Sequence, residues 1–129
     1  MTELVQKLIP IERAIAKEKG RFTLFALFLR EDSLNWWDVV VAAPWIGKRR
    51  YEAIEYVAHL LQTRLTVDEL LQLSGIFIVD LDDPRLHEIT REFRVSHGCT
   101  EVRGRTFFDM AMERGFIITS SGAKRGVAA

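Results

Sequence analysis

Apolar residues along the chain repeat with two different periods, and the change from one to the other comes at Gly20. Before it, Leu4, Leu8, Ile11 and Ile15 recur at helical spacing, with Val5 and Ile9 widening the stripe. Glu12, Arg13, Lys17 and Glu18 take the other side. This spacing predicts an amphipathic helix over 3–19, bent or interrupted at Pro10 and stopped at Gly20. After Gly20, two apolar runs of strand length, FTLFALFL and WWDVVVAAPW, flank a polar loop at 30–35. That is the pattern of a β-hairpin over 22–44, ended by Pro44, which cannot donate to a ladder. The first run is apolar at almost every position, so both of its faces need a cover. Trp36 and Trp37 are adjacent and, within a strand, point to opposite faces.

Helical spacing returns over 48–64, where Tyr51, Ile54, Ala58, Leu61 and Leu65 form a stripe with Val57 beside it. Thr66 and Glu69 make a capping box in front of Leu70 and Leu71, which predicts a short helix over 67–73 ended by Ser74 and Gly75. IFIVDL (76–81) reads as a buried strand. The two helices between it and the 36–43 strand give the connection the length of a crossover, so the two strands are expected to pair in parallel. Asp83-Pro84 reads as a cap followed by a first helical residue, opening a helix over 84–94 with Leu86, Ile89 and Phe93 on its apolar side. The segment 106–114 fits a helix capped by Thr106. It also fits the first arm of a hairpin closed at Glu113-Arg114-Gly115; the helix is the favoured reading. The expected architecture is a single α+β domain over 1–120, with a mixed sheet of four or five strands built on the hairpin, and a flexible tail over 121–129.

Composition narrows the classes of function. The chain has 129 residues, 48% of them hydrophobic, and is long enough to bury a core without disulfide or metal. Lys plus Arg equals Asp plus Glu at 18 each, so the chain lacks the strongly basic character of a nucleic-acid-binding domain. Zero formal charge also removes long-range repulsion between copies and favours self-association. The one cysteine, Cys99, has no internal disulfide partner, which fits a reducing, cytoplasmic setting. The first twenty residues carry charges throughout, unlike a signal peptide, and no run has the roughly 20 apolar residues needed to span a bilayer.

Four places could carry chemistry. At Gly47-Lys48-Arg49-Arg50 a strand ends and a helix begins with three cations, against the helix dipole and in the manner of an anion site, although the glycine patterns of nucleotide-binding loops are missing. Paired with carboxylates such as Glu31 and Glu52, the same cations would be ordinary surface. Asp80, Asp82 and Asp83 cluster after a strand, with Asp38 on its expected neighbour; parallel pairing would put Asp38 and Asp80 at opposite ends of the sheet, against a shared metal. His97-Gly98-Cys99 places an imidazole near a thiol, but the glycine would hold neither in place, and a small half-buried cysteine is the simpler reading. His59, His87 and His97 lack paired zinc-ligand spacing. Finally, Trp36, Trp37, Trp45, Phe107 and Phe108 are more large aromatics than a small core obviously uses, and uncovered aromatics anchor interfaces. The expectation is therefore a small cytoplasmic interaction module, self-associating, without metal or cofactor. The alternative is an enzyme acting on a phosphate ligand or nucleic acid through Gly47–Arg50.

Overall fold

The apolar run after Gly20 forms the middle strand of a sheet. The structure, a computed structural model, describes residues 3–122. Its elements are α1 (Glu3–Lys19), β1 (Leu24–Arg30), β2 (Trp37–Ala42), α2 (Arg50–Arg64), α3 (Val67–Leu70), β3 (Leu73–Ile78), α4 (Pro84–Glu92), β4 (Thr100–Phe107) and β5 (Met110–Ser120). The five strands form one mixed sheet in the order β3-β2-β1-β5-β4. β2 and β3 are parallel, and the other pairs are antiparallel. The chain is thus an α+β domain, with the 22–44 hairpin at its centre.

Both faces of β1 are covered, as its unbroken apolarity requires: Leu24 to Leu29 are all buried. On one face Phe25, Leu27, Leu29, Trp37, Val39 and Val41 meet α1 and α2. On the other, Leu24, Ala26, Phe28, Val40 and Ala42 meet Leu86 and Ile89 of α4 together with Phe107 and Met112. Alternation along β1 assigns its odd-numbered residues to the first cluster and its even-numbered ones to the second.

The structure corrects several expectations. α1 spans the expected 3–19 and passes through Pro10 as one helix of 17 residues, which excludes the interrupted alternative. α2 buries Val57 and Leu61 as expected, with Leu65 just past its end, but its first turn turns Ala53 inward and leaves Tyr51 85% exposed. α3 ends at Leu70, and Ser74 and Gly75 belong to β3 instead of closing a helix. β3 therefore starts earlier than expected, and it is a half-covered edge strand rather than a buried one. Residues 106–114 are not helical: β4 and β5 form a hairpin, turned at Phe108 and Asp109 rather than at 113–115. Both turn residues have positive φ, 54° and 62°, the conformation of a two-residue turn that matches strand twist. α4 stops at Glu92, just short of the expected Arg94. Of the expected tail, Ser121 donates its N–H to Thr23 O at 3.0 Å, and residues 123–129 lie outside the described residues.

Candidate functional site

α4 shields only part of its face of the sheet. Beyond it, Val40, Phe77, Met110 and Met112 line an open groove of about 410 Å³, within the size range of ligand pockets. Phe77 pairs in register with Val40 and so points to this side, where it is 47% exposed.

The groove's charged residues are engaged within the chain. Asp38, the one acid in the β2 run, is buried; it accepts from Arg30 Nε at 2.8 Å and from the Ser74 hydroxyl. Taking a carboxylate out of water is costly without such partners, which is why Asp38 sits where the hairpin brings Arg30 across from it. Asp83 caps α4 by accepting from the Arg85 N–H at 2.8 Å, and Arg85 also reaches Asp109 at 3.0 Å. Hydrogen bonds from Arg85 hold the Asp83 carboxyl below the usual carboxylate range, and donating them to Asp83 and Asp109 pushes the guanidinium up. Asp80 accepts from Arg50. Each carboxylate is thus matched to a cation, and the groove presents apolar surface rather than an acid–base pair. Among the described residues no group of three or more His, Cys, Asp or Glu is arranged to hold a metal ion.

The cations at the start of α2 diverge. Arg50 bonds Asp80 Oδ1 at 2.5 Å and the Ile78 carbonyl at 2.9 Å, and Arg49 lies 3.8 Å from Glu52. Lys48 is exposed, Gly47 turns the chain at φ 51°, and Arg49 caps the helix without a side-chain bond. The hollow beside Gly47 is lined by Asp80 and Asp82, a negative neighbourhood.

The five aromatics part company. Trp37 and Phe107 are core residues, Trp37 stacking near Phe116 at 5.6 Å and Phe107 near Phe28 at 5.3 Å. Trp45 packs edge-on against Phe22 and Tyr56. Phe108 is half-buried under Arg85. Trp36 alone of the five is exposed, at 52%. At the third candidate, burial and the Glu101 charge push the Cys99 thiol up, away from the thiolate a nucleophile needs. His97 turns instead to Glu12, its Nδ1 at 2.6 Å from Oε1. Sequence reasoning missed Phe77 and Met110, because 76–81 was read as buried and 107–114 as a helix.

Compared with protein-family models, with curated proteins and with solved structures, the chain matches none.

Proposed function

We propose that this chain is an interaction module that self-associates through the free edge of β3, two copies pairing antiparallel to join their sheets. The observation that carries the reading is the contrast between the sheet's two edges. Edge strands normally carry charges, prolines or irregularities that prevent pairing with another chain. β4 follows that rule, with Glu101, Arg103 and Arg105 and a left-handed Gly104 at φ 61°. β3 reads LSGIFI, with no charge and no proline; its one irregularity is the register shift opposite Trp37 and Asp38. Val79 N–H bonds Val41 O at 2.9 Å, so by alternation the main-chain groups of Ile76 and Ile78 turn to the free edge; the Ile78 carbonyl there is held by Arg50, which leaves the Ile76 N–H and carbonyl and the Ile78 N–H for a second copy.

Exposed apolar side chains lie along the same edge. Leu71, 66% exposed, sits beside Gln72, whose carbonyl accepts from Trp37 N–H at 2.8 Å, so Trp36 is at that end and Phe77 at the other. A strand paired antiparallel with its own copy gives a closed two-fold contact, and zero net charge adds no repulsion. Arg50 and Asp80, which already hold each other at the end of β3, leave the alternative anion site at Gly47–Arg50 without its central cation.

Sedimentation velocity at micromolar concentration tests the proposal. The wild-type chain is expected to run as a species of twice 14.9 kDa, and Phe77→Lys, with an unchanged circular dichroism spectrum, as a monomer. A wild-type monomer across that range, or a Phe77→Lys dimer, refutes it.

A further inference from the structure

Although the chain is neutral overall, Arg13, Lys17, Arg21 and Arg94 line two adjoining grooves away from the β3 edge. After α4 the chain lies along the end of β5: Val95 bridges to Ser120, and Gly98 N–H bonds Ile118 O at 2.9 Å. Between this segment and the link from α1 to β1 is a cleft of about 420 Å³. The α1–β1 link contributes Arg21, the segment after α4 contributes Arg94, Ser96 and His97, and β5 contributes Ser120. A second groove along α1 shares Arg21 and His97 and adds Arg13 and Lys17. Among the described residues no carboxylate lines either one.

Arg94 and His97 are held in place, and a buried hydroxyl beside them has no partner. The Arg94 guanidinium rests against Gly122 so closely that a Cβ there would stand 2.7 Å from its Nη2; the bare glycine makes the seat. The His97 backbone donates to Thr119 Oγ1 at 3.2 Å, and its Nδ1 is taken by Glu12, which leaves Nε2 as the ring's remaining polar atom. The Ser120 hydroxyl is buried and has no hydrogen-bond partner, a rare state for a buried donor. Arg21 and Arg94 form no ion pair among the described residues, in contrast to Arg30, Arg50, Arg85 and Arg105.

We propose that this cleft binds the phosphate group of a small phosphate monoester. Planar guanidinium groups match phosphate oxygens with paired N–H donors, and charge-assisted bonds of this kind are the strong ones. The Ser96 and Ser120 hydroxyls complete the cradle. The cleft is larger than a bare phosphate requires, and its extension along α1 leaves room for the organic part of the ester. The proposal does not depend on pairing at β3, because β2 and β1 separate that edge from β5.

Calorimetric titration of the full chain with inorganic phosphate and with phenyl phosphate, at ionic strength fixed by chloride, tests it. Saturable one-to-one binding is expected for both, tighter for phenyl phosphate. Arg21→Gln and Arg94→Gln, both at exposed positions and so compatible with folding, each weaken it by about tenfold or more. Lys48→Gln leaves it unchanged. The assignment fails if neither probe saturates, if inorganic phosphate alone binds, or if the two arginine variants bind like wild type. It also fails if an oligodeoxynucleotide without terminal phosphates displaces phenyl phosphate at lower concentration, which would mark a surface for phosphodiester polymers.

Discussion

Gly115 illustrates how one absent side chain sets the packing of a whole face. It pairs with Phe28 across β1 and β5, and a Cβ built on it would stand 2.5 Å from Phe28 Cδ1 and 3.0 Å from Val102 Cγ2. Phe28 is fully buried and lies against Phe107, so it cannot withdraw. Gly115→Ala is expected to destabilise the fold by about 1–3 kcal/mol, seen as a lower urea midpoint with unchanged slope. A midpoint equal to that of the wild type would mean that the Phe28 ring yields. The sequence marked Gly115 only as a break, because its conflict is with residues far away in the chain. Asp38 was more legible: an acid inside an apolar strand announces a special environment. Its partners were not, since Arg30 and Ser74 reach it only through the registers of β1 and β3 on β2.

At the level of elements, short-range chemistry was readable, and side chains that pair across strands were not. The Thr66–Glu69 capping box forms as its spacing requires: the Glu69 N–H donates to Thr66 Oγ1 at 3.1 Å, and the Thr66 N–H to Glu69 Oε1 at 2.8 Å. Glu69 also accepts from Lys7 Nζ at 2.9 Å, tying α1 to α3. Thr66→Ala is expected to cost about 1 kcal/mol, measured by thermal or urea unfolding. The Asp83-Pro84 start of α4 was legible for the same reason, as both partners lie within one turn. α2 was placed correctly, with Val57 and Leu61 inward as expected, but its first turn was not, because apolar residues surround it there and only the sheet beneath selects Ala53 over Tyr51. The hairpin of β4 and β5 was hidden by Met, Ala, Glu and Arg, all good helix formers, and by a turn that lacks the Asn-Gly signal. There, pairing with β1 overrides local preference. The cleft of Arg21 and Arg94 was invisible for a related reason: it exists only where two linkers meet at the end of β5.

For the molecule as a whole, carboxylates with strong local partners set the response to pH. Glu69, held by the Thr66 N–H and Lys7, Asp83, held by Arg85, and Glu92, held by Arg105, all have pKa values lowered in the folded chain. Folded molecules therefore bind fewer protons at these sites than unfolded ones. The stability they contribute is complete above the ordinary carboxylate range near 4 and is lost as pH falls through the folded values below it. At the alkaline end Tyr56 is pushed up to about 12, by burial first and then by its bond to Glu18. Its contribution is present below the ordinary tyrosine value of about 10 and is lost as pH rises towards 12. The melting temperature is accordingly expected to be level from mildly acidic to mildly alkaline pH and to drop beyond each limit; a maximum below pH 4 would contradict this. The placement of β1 has a consequence for synthesis. Its partner β5 lies at the far end of the described chain, where Leu24 pairs with Ser120 and Arg30 with Met112. A ribosome must therefore release the greasiest strand long before it makes one of the two neighbours that shield it. Until then a seven-residue segment able to stick to other nascent chains stays half-wrapped, and slow translation or a lack of chaperones would turn this gene product into inclusion bodies sooner than its finished stability suggests.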